Sequence, residues 1–285
     1  MSAYGHGRHE HGQNFLTDHK TINTFVDVVA QTTGPIVEIG PGRGALTFPI
    51  TRLGRSVTAI EVDTKLATRL KEKSIPGCLE IVHRDFLTFR LPATPHVIVG
   101  NIPFHITTAI LRKLLHAPHW RDAVLLMQWE VARRRAGIGG NTLMTAQWAP
   151  WFGFRLVARV PRSAFSPQPN VDGGILVIHR KENPEIPIAE RKVFQTMVHA
   201  VFTGKGRGIG EILSRLGLFT SKSEAHMWLR SRGIKATTFP PKVDVNDWID
   251  LFQVTGGSPP RNPSGPTTGS RQRRSGNRRN RRRKK

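Results

Sequence analysis

The sequence predicts an α/β fold: a mostly parallel, seven-stranded sheet, followed by a small all-α C-terminal module and a disordered basic tail. Three observations carry this expectation. Short Val- and Ile-rich runs alternate with segments of helical period, the pattern of βαβ units. Beyond His179 only helical patterns recur, and from Gly256 onward there are nine Arg, two Lys and no acid.

Near the start, Thr17-Asp18 can cap a helix whose Ile22, Phe25, Val26 and Val29 follow the spacing of one buried face. The strand runs are Ile36–Ile39, Val57–Ile60, Leu79–Val82, Val97–Val99 and Ala123–Met127. Two further runs, Leu156–Ala158 and Gly174–Ile178, are close enough in the chain to pair as an antiparallel hairpin at the sheet edge. Lys181 to Pro187 is polar and proline-bearing, so it reads as a linker. Helices are expected over Ala189–Phe202, Gly208–Leu216, Lys222–Arg232 and Asn246–Val254. The expected organisation is therefore 1–180, 181–255 and a tail over 256–285, whose Gly, Pro, Ser, Asn and Arg offer little to bury.

In 285 residues, 43 Lys and Arg face 20 Asp and Glu, a formal charge of +23. Such an excess points to a polyanionic partner, nucleic acid first. No apolar run is long enough to span a bilayer, and Met1 to Gly12 is polar and His-rich without a hydrophobic core, so the expectation is a cytoplasmic chain without membrane contact. A single cysteine, Cys78, permits neither an internal disulfide nor a Cys-x-x-Cys zinc site. His6, His9 and His11 are read as a polar terminus rather than metal ligands, and no metal is expected.

The chemistry-bearing residues cluster where strands end. Glu38-Ile39-Gly40-Pro41-Gly42-Arg43-Gly44 turns from strand into helix, and its missing side chains let a ligand approach the backbone. Glu61 closes the next run 21 residues past Gly40, where a carboxylate can accept both hydrogen bonds of a ribose diol. Asp85 follows the third run and could receive an adenine amino group. After the fourth run comes Asn101-Ile102-Pro103-Phe104. The adenine amino nitrogen is a poor nucleophile because its lone pair is delocalised into the ring. Hydrogen bonds accepted by the Asn101 side-chain oxygen and the Ile102 carbonyl would localise that lone pair, while Pro103 fixes the turn and Phe104 offers a stacking face. Arg133-Arg134-Arg135 suits RNA phosphates or a solvated turn, and Trp148 and Trp151 are read as packing residues.

Over roughly residues 8–255 these ordered motifs resemble the S-adenosylmethionine-dependent ribosomal RNA adenine N6-methyltransferases, and within them the Erm erythromycin-resistance methyltransferases. The resemblance implies a Rossmann-like methyltransferase sheet and S-adenosyl-L-methionine as cofactor. Gly12-Gln13-Asn14-Phe15-Leu16 looks like the N-terminal cofactor motif, which implies that Asn14 and Leu16 touch the methionine end. Gly40, Glu61 and Asp85 match the positions that bind the cofactor's backbone, ribose and adenine, and Asn101 also borders it. Asn101 to Phe104 matches the catalytic tetrapeptide, with Phe104 where many relatives carry Tyr. Phe165-Ser166-Pro167-Gln168-Pro169-Asn170-Val171 resembles a downstream segment whose Phe helps hold the flipped base, so the adenine is expected between Phe104 and Phe165. The implied partner is 23S rRNA, short of the fully assembled ribosome, with no obligate protein partner and a monomeric enzyme. The implied outcome is macrolide, lincosamide and streptogramin B resistance.

The housekeeping small-subunit rRNA dimethyladenosine transferases share these motifs. They usually carry an Arg-Arg-Lys-Thr-like stretch where this chain has Ala200-Val201-Phe202-Thr203-Gly204-Lys205-Gly206-Arg207-Gly208, which looks like the Erm form; the Arg-rich tail resembles Erm enzymes as well. Rival readings are a catalytically idle RNA-binding assembly factor with the same fold, and a DNA adenine methyltransferase, which usually has Asp-Pro-Pro-Tyr or Asn-Pro-Pro-Tyr.

Overall fold

A computed structural model describes residues 14–257. The expectations for His6, His9 and His11, for Gly12 and Gln13, and for the tail beyond Gly257 lie outside the described residues. The chain opens with β1 (Phe15–Leu16), α1 (His19–Ala30), β2 (Ile36–Ile39), α2 (Thr47–Thr51), β3 (Val57–Glu61), α3 (Thr64–Lys71) and β4 (Leu79–His83). It continues through β5 (His96–Asn101), α4 (Thr107–His116), β6 (Trp120–Gln128), α5 (Trp129–Arg135), α6 (Leu143–Trp148), β7 (Phe152–Val160), β8 (Phe165–Ser166) and β9 (Gly173–Arg180). The C-terminal helical region comprises α7 (Arg191–Thr203), α8 (Ile209–Leu216), α9 (Lys222–Ser231) and α10 (Val245–Val254).

Seven strands form one sheet in the order β4-β3-β2-β5-β6-β9-β7. The first five pair in parallel, and β9 and β7 return antiparallel at one edge, as the two late apolar runs predict. The central strands are apolar on both faces, save for Glu38 in β2, because helices cover both. Val97, Val99, Val124 and Leu126 point into the core under α1 to α3, while Ile98, Ala123, Leu125 and Met127 point into the opposite core. Asp18 caps α1 by accepting the Thr21 N–H at 2.8 Å. On that helix Val28, rather than the predicted Val26, takes the fully buried position, since the core face also includes Thr21 and is rotated toward it.

The second core continues without a break from the sheet into α7 to α10. Its seam is aromatic: Trp120 stacks on Phe152 at 5.1 Å, Trp151 meets Phe194 edge-on at 5.7 Å, and Phe194 meets Phe252 at 5.4 Å. Trp148 and Trp151, both buried, belong to this seam and are packing residues. The polar linker is anchored rather than loose, with Ile186 in the core and Lys181 donating to Ala149 O and to Glu185. Helix bounds shift little from those expected; α7 begins after a 3-10 turn at Ile188–Glu190. No helix among the described residues is long and apolar enough to cross a membrane.

One feature escapes the periodicity argument. β1 and β8 form a separate antiparallel pair, Phe15 opposite Ser166 and Leu16 opposite Phe165, reinforced by Thr17 N–H donating to Ala164 O at 2.8 Å. This pair ties the N-terminal segment over the ends of the sheet strands.

Candidate active site

The carboxyl ends of the parallel strands open into a cleft of about 950 Å³, counting its mouth. Ligands in open α/β sheets bind at this edge. Asn14, Leu16, Gly40, Glu61, Asp85, Asn101, Ile102, Pro103 and Phe104 all line this one cleft. Segments separated by dozens of residues thus converge because each follows or closes a strand of one sheet.

Gly40, directly after β2, has φ 60°, and a Cβ added there would project into open space. Gly42, φ 58°, lets Phe15 approach: a Cβ would stand 3.2 Å from its ring. Glu61 ends β3 and is buried, its two oxygens each accepting one backbone N–H, from Gly42 and from Asp63, both at 2.9 Å. Burial pushes its pKa up against these two bonds. A carboxylate has about four acceptor positions, so each oxygen retains one for a diol.

Asp85 sits in a turn past β4, its Oδ1 accepting the Leu87 N–H at 2.8 Å. That turn is held from across the cleft's flank. The Lys113 ammonium, on α4, donates to the carbonyls of Phe86, Leu87 and Phe89 and lies 4.9 Å from the Phe86 ring. Burial lowers the Lys113 pKa. Because α4 begins three residues after Phe104, this one side chain braces the tetrapeptide's helix against the Asp85 turn.

Asn101 ends β5, and its Nδ2 donates to Asn14 O at 2.9 Å. A carbonyl can only accept, so this contact fixes the amide nitrogen toward Asn14 and leaves Oδ1 as the acceptor available to a ligand. Ile102 is buried and its N–H donates to Leu126 O at 2.8 Å, locking the turn to β6. Phe104 is half-buried at the lining.

Phe165 departs from expectation. It is 3% exposed, does not line the cleft, and packs against the start of β9, where a Cβ on Gly173 would lie 3.2 Å from its Cζ. Pairing of Leu16 with Phe165 turns this ring into the core, so the structure does not present it to a base opposite Phe104.

Glu38 opens the Gly-rich turn but is absent from the sequence-predicted site residues. It is 1% exposed in the middle of β2, lines the cleft, and its Oε2 has no hydrogen-bond partner. Burial, with the nearby Glu61 adding, raises its pKa to about 8. The available signal was a carboxylate inside an otherwise apolar, doubly covered strand. Arg43 was likewise only part of the motif; its guanidinium lies 4.3 Å over the Phe15 ring at the mouth.

The sheet order, the glycine turn and acids at successive strand ends define the class: a Rossmann-like methyltransferase. The chain belongs to the ribosomal RNA adenine dimethylase family, whose sequence profile it matches over residues 5–255. It is 72% identical over 219 residues to an rRNA adenine N-6-methyltransferase of Corynebacterium diphtheriae, covering 77% of this chain and 87% of that one. It is 41% identical over 250 residues to the mycinamicin-resistance protein MyrB of Micromonospora griseorubida, covering 87% and 79%. The crystal structure of the 23S rRNA methyltransferase ErmE superimposes with a TM-score of 0.79 at 34% identity, over 85% of this chain and 100% of that one.

Proposed function

We propose that the protein transfers methyl groups from S-adenosyl-L-methionine to N6 of one adenine in the peptidyl-transferase region of 23S rRNA, acting in the cytoplasm and conferring resistance to macrolides, lincosamides and streptogramin B. The observation that carries this reading is the Asn101 amide, turned by Asn14 so that its oxygen remains an acceptor in the same cleft as Glu61 and Asp85. Names of the relatives at 72%, 41% and 34% identity support the RNA target and the resistance outcome.

The cleft suits the cofactor on its own chemistry. Glu61 would hold the ribose diol and Asp85 the adenine amino group, with the space beside Gly40 free for close approach. Glu38, which lines the cleft, and the Asn14–Leu16 segment would face the methionine end, which brings an ammonium group to the Glu38 carboxyl. S-adenosylmethionine supplies an electrophilic methyl on a sulfonium centre.

The chain's residues then act on the incoming adenine. Asn101 Oδ1 and the Ile102 carbonyl accept from N6, localising its lone pair, and the flipped base stacks on Phe104. As N6 is alkylated it becomes acidic and releases its proton without a strong base, which fits the absence of Lys or His from the tetrapeptide. The developing positive charge is favoured by those two oxygens and by the Phe104 face.

Methyl transfer from tritiated S-adenosylmethionine to protein-free 23S rRNA, small-subunit rRNA and DNA in parallel tests the assignment. Label confined to 23S rRNA is the expected result. Label on small-subunit rRNA would make the chain a housekeeping dimethyladenosine transferase, and no label on any would leave an RNA-binding assembly factor.

A further inference from the structure

Next to the cofactor cleft lies a second pocket lined by Gly42, Arg43, Leu66, Arg69, Leu70 and Lys73. It shares Gly42 and Arg43 with the cleft, so the two are contiguous. Its charged lining is entirely cationic. Lys65 continues the line, since Lys65, Arg69 and Lys73 recur every four residues along α3 and the turn that closes it. Residues at that interval are neighbours on one helix face, and like charges there repel.

All three side chains are exposed, and none of them, nor Arg43, has a carboxylate within ion-pair distance among the described residues. The acids nearby are committed or turned elsewhere: Asp63 caps α3 through the Leu66 N–H, Glu61 accepts from Gly42 and Asp63, and Glu72 does not contribute to the pocket. A self-repelling row of cations without counter-charges, leading up to the rim of a cleft, is matched by a polyanion with regularly spaced charges.

We propose that Lys65, Arg69 and Lys73, together with Arg43, form a docking track for consecutive backbone phosphates of the RNA strand on one side of the target adenosine. The inference rests on the rRNA reading above. It adds a charged flank to the surface around the cleft. On α5, past the end of β6, Arg133 pairs with Glu130 and Arg135 donates to Thr142, which leaves Arg134 as the exposed cation of that run, whereas this track stands past the end of β3. In the order β3-β2-β5-β6 these flanks are three strand spacings apart, about 14 Å at ~4.8 Å per step. The tetrapeptide at the end of β5 lies between them. The track therefore receives the RNA strand on the β3 side of the flipped adenosine.

The test replaces Lys65, Arg69 and Lys73 together by Gln in the full chain, leaving Arg43 intact because it borders the cofactor. All three are exposed, so thermal stability and calorimetric affinity for S-adenosylhomocysteine should match the parent. Binding to a 23S rRNA fragment should weaken about tenfold at moderate salt, with the slope of log affinity against log salt reduced by about 2–3. Turnover at saturating RNA should be preserved. The measurement is repeated with fragments lacking nucleotides on one side of the target or on the other. Sensitivity to the triple change should vanish with one trimmed fragment and persist with the other. Superimposable salt slopes for parent and variant on the complete fragment would overturn the track. So would equal sensitivity with both trimmed fragments, which indicates only a diffuse field. A parent chain that binds RNA through this row yet labels no rRNA would defeat the methyltransfer reading and leave the track standing.

Discussion

The aromatic seam between sheet and C-terminal helices and the cleft at the strands' carboxyl ends use burial in opposite ways. Along the seam Trp151, Phe152, Phe194 and Phe252 are nearly inaccessible and meet ring to ring, so burial stabilises the fold directly. Beneath the cleft the buried groups are Glu38 and Glu61, two carboxylates whose pKa values burial raises. Burying them costs stability, which the seam and the two cores offset. The difference teaches that the molecule keeps rigidity and ligand chemistry in separate places, so substitutions should sort cleanly into losses of stability and losses of turnover.

Phe194→Ala should give the largest effect, a stability loss of about 3–5 kcal/mol in denaturant unfolding, because it empties the junction between two edge-on aromatic contacts. An unfolding midpoint equal to the parent's would show that the seam does not hold the two parts together. Asn101→Ala reverses the pattern: single-turnover methylation should fall about 10²–10³-fold with little change in melting temperature. Turnover like the parent's would remove the amide from the chemistry and erase the contrast between the regions.

Phe104→Ala should cost about 1–3 kcal/mol in productive RNA engagement, and Phe104→Tyr should keep most activity, since the ring face rather than a hydroxyl is used. Equal activity of the Ala variant and parent would move the base elsewhere. Lys113→Met sharpens the boundary between the regions. It frees three carbonyls of the Asp85 turn, so affinity for S-adenosylhomocysteine should drop roughly tenfold in calorimetry, and Lys113→Arg should restore part of it. Unchanged affinity in both variants would reduce the brace to packing.

The last effect starts small at low pH and grows as pH rises. Glu38 has a folded pKa of about 8, above its ordinary value of 4.5, so between these values the folded state retains a proton that the unfolded state has released. Its contribution is fully present below the ordinary value and is lost as pH rises through about 8, on the order of 1 kcal/mol per pH unit within that window. Glu38→Gln removes this loss, and its melting temperature should rise above the parent's by a margin that widens from pH 5 to pH 8. Parallel curves across that range would show that the carboxyl is not held neutral.

The sequence alone determined the sheet and most of the cleft's lining, because both are local signals. Runs such as Val97–Val99 are apolar at every position, as only a doubly covered strand requires, and the positions just past such strands share one edge whatever the details of packing. Gly40, Glu61, Asp85 and Asn101 were legible for that reason. What depended on distant segments meeting was decided by the tertiary structure. Two-residue strands have no period, so the pairing of Leu16 with Phe165, and with it the turning of the Phe165 ring into the core, could not be read along the chain. Nor could the three carbonyls gathered by Lys113, the rotation of Asn101 by Asn14, or the burial of Glu38. A side chain's partners and its desolvation are set by neighbours remote in sequence, and no local pattern encodes them.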